Sequence, residues 1–543
     1  MSIQLSRRSA LGVSAASVAG AALPRVGWAQ TATPAAATGD EALAEAVDAF
    51  VKRAMAGFPD QPAVSIALVK DGKPLLTRGY GLRKQGERRQ VDQNTLFAIA
   101  SNTKAVTCAG LAMLVDQNRL SWDAPVKHYL PGFTLSDPWI GEKITVRDLV
   151  SHRAGFGLGA GDLLFWPNSD RTREEIMAAV PFVPIQHGFR SRYDYCNLMF
   201  VVAGEVLATV SGMPWERFVQ TRILNPLGMA DTLPIMQEAD PSRSALPHGR
   251  IGPPLRYQGP MQPIGKSIQE VWNWSSAAAA GGFVTTPVDW AKWIGVQLSG
   301  GVLPNGQRLW SEAQSREMWK PNIIIGSSPG PTAQLPGRAI ASTYALGWQV
   351  QDYRGERMIS HGGGAPGYIS GTVLFPGRNV GFSYFTNAEE AITRALRGGI
   401  ADIVLGKADF DWVADSARIQ AEGVESAAKA AAEIDARQAA GAPPSLPLDA
   451  YVGTWRDPWY GDIVIDRRGR GLWLTFSRTP SLKGPLEPYD GNTFRTRFPD
   501  KREEDAFITF ALEEGKPVSA TMKAVSPDAD FSYDYHDLRL SRV

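Results

Sequence analysis

A chain of 543 residues is long enough for two or more domains, and 44% hydrophobic with 20% charged residues is ordinary globular composition. A net charge of +1 gives no electrostatic ground for binding nucleic acid or an anionic membrane surface. Two cysteines, Cys108 and Cys196, exclude a disulfide framework and a cysteine zinc cluster; buried free thiols are favoured over a single bridge between them.

The first predicted element is an address. Twin arginines, Arg7-Arg8, precede an apolar Ala-rich run through Leu23, and Gly27-Trp28-Ala29 offers small residues to a signal peptidase. Residues 1–29 therefore read as a twin-arginine export signal, implying a periplasmic protein. The run is too short and too diluted by Ser and Gly for a membrane span, and no other stretch reaches that length. Residues 30–44 form an Ala/Thr/Pro-rich lead-in that runs into a helix over Asp40–Met55, which carries Leu43, Val47, Phe50 and Val51 at helical spacing.

Strands Val64–Val69 and Leu75–Tyr80 flank Asp71-Gly72, a hairpin signal. After the apolar approach Phe97–Ala100 comes Ser101-Asn-Thr-Lys104, and then Ala105–Val115, almost wholly apolar and so a buried helix. Further helices are predicted over Val201–Val210 and Trp215–Leu224. Segments 234–265 and 324–337, rich in Pro and Gly, read as surface loops over the pocket. Strands return at Gly347–Val350, Met358-Ile359 and Gly371–Phe375. Residues 408–447 form a helical connector closed by Gly441-Ala-Pro-Pro. Beyond it, short alternating segments such as Ile463–Ile465, Leu472–Phe476 and Phe507–Phe510 suggest a small antiparallel barrel over 448–543.

A serine and a lysine three apart on a helix share one face, so an amine can take the hydroxyl proton without a histidine. The spacing alone says little: Ser426-Ala-Ala-Lys429 repeats it and marks no site. Gly326-Ser-Ser-Pro-Gly330 also matches the Gly-x-Ser-x-Gly elbow, but that elbow must turn into a helix and Pro329, Pro331 and Pro336 forbid one. What distinguishes Ser101 is its company in order: Tyr195-Cys-Asn197, then His361-Gly-Gly363. His128, His187, His248 and His536 show no metal spacing, and His152 reads as structural.

These three elements, with Ile144–Gly155, Asn225–Met229, Ala280-Gly-Gly282 and Gly347-Trp348, resemble the class-C-type β-lactamase and penicillin-binding-protein superfamily over residues 45–407. The similar branch includes D-aminopeptidases, carboxylesterases and hydrolases of linearised microcystin-like peptides. Tyr451-Val-Gly-Thr-Trp455 with Tyr460-Gly-Asp462 resembles the lipocalin-like domains appended to such hydrolases.

The resemblance implies an α+β fold: an antiparallel sheet flanked by helices, an all-helical subdomain, and a small C-terminal β-barrel. It implies Ser101 as nucleophile, Lys104 and Tyr195 as the proton-transfer pair, and Asn197, His361 and Gly363 as substrate-binding or orienting residues. The oxyanion hole would be the backbone N–H groups of Ser101 and Gly364. No metal or other cofactor is implied. His361 stands where a lysine is usual, which weakens attraction for a substrate carboxylate.

The expected activity is a serine peptidase cleaving short peptides, including D-residue-containing or linearised cyclic ones. The alternatives are a promiscuous carboxylesterase, then a β-lactamase or DD-carboxypeptidase, and, outside catalysis, a dead peptidoglycan or peptide sensor. Partners are then small peptide, amide or ester substrates, and the oligomeric state is left open.

Overall fold

A computed structural model describes residues 39–251 and 259–543. The export signal, most of the lead-in and residues 252–258 lie outside the described residues.

The sheet of the larger domain has eight antiparallel strands in the order Lys73–Gly81, Ala63–Lys70, Val380–Thr386, Tyr368–Phe375, Glu356–Ala365, Gln349–Tyr353, Ala341–Tyr344, Ile323–Ser327. N- and C-terminal segments of this domain thus pair within one sheet, one strand in from its edge: Val64 faces Thr386 and Lys70 faces Val380. Alternation along the Ala63–Lys70 strand divides the core in two. Val64, Ile66 and Leu68 pack with the helices Asp40–Gly57 and Ile392–Val404, where Phe50, Val51, Leu396 and Ile400 are buried. Ala63, Ala67 and Val69 point to the opposite face, toward Trp290 and Ile294 of the helix Pro287–Leu298. Beyond that face lies the helical subdomain, with Thr103–Asp116 packed on Leu198–Ser211.

Two expected loops carry structure of their own. Ile323–Ser327 is the edge strand of the sheet, paired with Ala341–Tyr344, because Ile323-Ile324-Ile325 is a β-branched run ahead of the prolines. Within the 234–265 segment, His248–Arg250 pairs with Met261–Pro263, and the backbone N–H of His248 donates to the Asn387 carbonyl at 2.9 Å. Gly326–Gly330 runs from that edge strand into a turn and not into a helix.

The connector is one long helix, Trp412–Ala440, capped by the Asp411 carboxylate on the N–H groups of Val413 and Ala414. Its start is anchored in the sheet domain by buried Trp412, whose indole N–H donates to Asp402 at 2.7 Å. Its end packs on the barrel, with Asp435 paired to fully buried Arg495 at 2.6 Å. The barrel closes through eight strands between Gly453 and Arg542, so no strand edge is left open. The interior is filled by rings that meet edge-on, Trp455 on Phe510 and Tyr451 on Phe494 among them. Among the described residues no single helix is long and apolar enough to cross a membrane.

Candidate active site

The chain reaches Ser101 through a forced turn. Ala100 has φ 45°, a left-handed conformation that a Cβ disfavours. A 3-10 turn over Ala100–Asn102 then feeds the helix Thr103–Asp116. The turn is held from the sheet side: Ser370 Oγ donates to the Ile99 carbonyl at 2.8 Å, and Asn102 Nδ2 donates to Ser370 Oγ at 2.8 Å. Ser101 is half-buried at the domain junction, and Lys104, one turn later, is fully buried.

Lys104 Nζ has three oxygen acceptors, matching its three protons. They are Ser101 Oγ at 3.0 Å, Asn197 Oδ1 at 2.7 Å and the Ala280 carbonyl at 2.7 Å. The last belongs to the Ala280-Gly-Gly282 element, tied to the same helix by Thr107 Oγ1 donating to the Ala279 carbonyl at 2.8 Å. Nζ also lies 4.9 Å from the Tyr195 ring centre and 5.2 Å from that of Phe200. Tyr195 donates its hydroxyl proton to Ser101 Oγ at 2.7 Å. The Ser101 oxygen is thus the meeting point of an amine and a phenol, as the motifs anticipate.

Burial separates the two groups in acidity. Desolvation brings the Lys104 ammonium down to about 7 against the partial support of the Asp162 charge. Desolvation pushes the Tyr195 phenol well above its ordinary value, only partly opposed by its bond to Ser101. Near neutral pH a free amine is therefore within reach while a phenolate is not. Lys104 can accept the serine proton, and Tyr195 can relay one but cannot start as a base.

Asn197 is oriented at both ends: its carbonyl accepts from Lys104, and its Nδ2 donates to Asp162 Oδ2 at 2.8 Å. The His361 ring bonds to its own strand and to Tyr344. Its Nδ1 lies 2.6 Å from the Gly362 carbonyl and its Nε2 lies 2.8 Å from the Tyr344 hydroxyl. A carbonyl can only accept, so Nδ1 carries the proton and Tyr344 donates to Nε2. Desolvation, with the nearby Lys104 charge, holds the imidazole neutral. Both ring nitrogens are committed within the protein, and the ring centre stands 6.4 Å from that of Tyr195.

Gly363 is buried with no room for a side chain: a Cβ there would run into the Ile99 carbonyl and the Ser370 hydroxyl. The strand and the turn before Ser101 touch through this gap. Gly364 is exposed beside it. Pairing with Gln349–Tyr353 stops at Ser360, so beyond that point the strand presents an open edge on that side. An open edge offers backbone N–H groups to a ligand.

Five further residues contribute to the site. Tyr344 holds His361. His152 stacks on Tyr195. Asp162 holds Asn197. Ser532 and Phe531 come from the barrel: Ser532 Oγ donates to Asp162 Oδ2 at 2.8 Å, and the Phe531 ring meets Tyr195 edge-on at 5.7 Å. Of these, His152 lies in the Ile144–Gly155 element and was read as structural, and Asp162 had a weak local signal as a lone acid within the otherwise apolar and glycine-rich Gly157–Trp166. Among the described residues no three or more His, Cys, Asp or Glu side chains converge as a metal site. Cys108 and Cys196 are both free and buried.

A β-lactamase-type domain with a serine, lysine and tyrosine converging at a helix start is the class that this geometry defines. The chain belongs to the beta-lactamase family, whose model matches residues 48–405. A domain of unknown function, DUF3471, matches residues 437–542. An unguisins hydrolase of Aspergillus campestris is 29% identical over 425 residues, covering 74% of each chain. Among solved structures, the octameric penicillin-binding protein homologue from Pyrococcus abyssi superposes with a TM-score of 0.55 at 19% identity, over 91% of this chain and 98% of that one. The D-amino acid amidase of Ochrobactrum anthropi SV3 does so with a TM-score of 0.53 at 22% identity, over 69% and 99%. These structural likenesses establish the fold.

Proposed function

We propose that this protein is a serine hydrolase working through an acyl-enzyme at Ser101, with short peptides or amides as substrates. The observation that carries the reading is the convergence on Ser101 Oγ of Lys104 Nζ at 3.0 Å and the Tyr195 hydroxyl at 2.7 Å. Lys104, as free amine, removes the Ser101 proton while Oγ bonds to the substrate carbonyl carbon. Charge gathers on the carbonyl oxygen, which the backbone N–H groups of Ser101 and Gly364 receive. As the carbon–nitrogen bond breaks, Tyr195 gives its proton to the leaving amine and takes back the one that Lys104 removed from Ser101, which leaves Lys104 a free amine again. Water then takes the place of the amine and the steps reverse to free Ser101.

Substrate class follows from charge. His361 is neutral and internally bonded where a lysine would hold a fixed cation, so a substrate carboxylate gains little there. This argues for peptide or amide cleavage over β-lactam or terminal D-alanine recognition, in keeping with the similarity to an unguisins hydrolase. An ester passes through the same acyl-enzyme with an easier leaving group, so esterase activity is the second reading.

The test is one substrate panel on wild type and Ser101→Ala: nitrocefin, p-nitrophenyl acetate and butyrate, D- and L-aminoacyl anilides, and a D-residue-containing oligopeptide. Anilide or oligopeptide turnover lost in Ser101→Ala is the expected result. Fast nitrocefin turnover with little peptide cleavage would overturn the ranking, and ester-only activity would promote the second reading. Turnover that survives in Ser101→Ala would remove the assignment.

A further inference from the structure

The barrel does more than sit beside the hydrolase domain. Its segment between the strands Lys516–Ala524 and Arg539–Arg542 enters the wall of the site. Asp534 accepts the backbone N–H groups of Gly161 at 2.7 Å and Leu163 at 3.0 Å, gripping the turn that carries Asp162. Gln186 donates to Asp537 at 2.5 Å, and Phe531 lies against Tyr195. These contacts, with Arg478 on Asp170 and Glu175, join the two domains. Ser532 is used differently: its hydroxyl, 4% exposed as a residue, goes to the one carboxylate oxygen that also receives Asn197.

We propose that Ser532 is a positioning residue for catalysis, fixing Asp162 and through it Asn197 and Lys104, so that the barrel completes the active site. The line runs Ser532 Oγ to Asp162 Oδ2 at 2.8 Å, Asn197 Nδ2 to the same oxygen at 2.8 Å, and Lys104 Nζ to Asn197 Oδ1 at 2.7 Å. Asp162 Oδ1 is buried and has no hydrogen-bond partner among the described residues. The side chain therefore hangs on Oδ2, and Ser532 supplies one of its two side-chain bonds. Without it a buried carboxylate is left short of donors.

The electrostatics run the same way. Lys104 faces Asp162, Cys108 and Cys196, and its charge acts on His152 and His361 beside Tyr195. Asp162 in turn faces Lys104, Asp530 and Asp534. Burial raises the Asp162 carboxyl, while its bonds to Asn197 and Ser532 lower it and keep negative charge near Lys104. Removing the Ser532 hydroxyl makes Asp162 neutral more of the time. Lys104 then loses part of its counter-charge and gives up its proton at lower pH.

This inference rests on Lys104 acting as the base, and the test separates the two. Full-length Ser532→Ala and the volume-conserving Ser532→Cys, which offers a weaker donor, are assayed on p-nitrophenyl acetate across the pH range beside Ser101→Ala. Expected are a fall in kcat of about tenfold, KM within about twofold because neither variant alters a group that touches substrate, and an acid limb displaced to lower pH. Should Ser532→Ala not fold, Ser532→Cys carries the same expectation. Wild-type kcat and pH profile in the Ser532 variants, with Ser101→Ala inactive, would overturn the inference alone. A loss of thermal stability with an unmoved acid limb would also overturn it, since that is docking and nothing more. Persisting activity in Ser101→Ala would instead remove the reading on which it stands.

Discussion

The His152 imidazole lies against the Tyr195 ring, centre to centre 4.2 Å and tilted by 33°. His152 is fully buried with φ 56°, and its Nδ1 accepts the backbone N–H of Cys196 at 3.1 Å. Desolvation, then the Lys104 charge, keeps it neutral. It is thus a wedge that fixes the Tyr195 phenol and the backbone that follows it. Replacing it by alanine leaves a hole on one face of Tyr195. His152→Ala should lose about 2–4 kcal/mol of stability, read by urea unfolding, and should lower kcat more than it raises KM.

Activity should fall with acid. Lys104 works as the free amine and its ammonium is brought down to about 7 by burial, so kcat/KM should drop below that pH and level off above it. Fusion of the limb with ordinary carboxylate titration near pH 4 would show that Lys104 is not the titrating base.

The same shift has a stability consequence with the opposite sign to a favourable ion pair. Lys104 titrates near 7 when folded and at 10.5 when free. Between these values the unfolded chain holds more protons, so this group's contribution to stability rises with pH across that window. Lys104→Met, which removes the buried charge, should abolish turnover and raise the melting temperature at neutral pH. Scanning calorimetry of both proteins across that window checks it.

Ser101, Lys104 and Tyr195 share one oxygen as hydrogen-bond centre. Ser101→Ala, Lys104→Ala and Tyr195→Phe should each lose on the order of a thousandfold or more in kcat, and the doubles should be little worse than the singles. A fluorophosphonate should label wild type at Ser101, located by peptide mass spectrometry.

Gly159 tests the domain junction. It has φ +75° and a Cβ there would stand 2.5 Å from the Phe531 carbonyl, so Gly159→Ala combines backbone strain with a clash against the barrel. About 1–3 kcal/mol should be lost, and limited proteolysis should cut near Gly441-Ala-Pro-Pro sooner than in wild type. On the other end of the chain, we propose from Arg7-Arg8 and Gly27-Trp28-Ala29 that the protein is exported and cleaved. Mass spectrometry of protein from a periplasmic fraction should give a first residue of Gln30.

Local pattern was enough for much of this protein. The almost wholly apolar run Ala105–Val115 reads as a buried helix, and Ser101 and Lys104 one turn apart at its start share a face. The alternation of Ile463–Ile465 and Leu472–Phe476 required strands with one inward face, and a small closed barrel follows from repeating that pattern. The run Ile323–Ile325 could have been read as a strand, but the crowd of prolines after it pulled the whole stretch toward a loop.

Tertiary structure decided what no window of residues contains. His361 looked available to a substrate; only the fold brought Tyr344 to its Nε2 and closed it, from a strand that lies beyond the intervening Gln349–Tyr353. Lys104 is a base because it is desolvated, and its burial is made by Ala280, Asn197 and Tyr195, which lie at least 91 positions away along the chain. Ser532 and Asp162 are separated by 370 positions and sit in different domains. Sequence periodicity reports which face of an element is apolar, but a single polar contact across a junction leaves no period behind it. Chemistry was legible where the residues are neighbours on one helix, and the packing that sets their proton affinities was not.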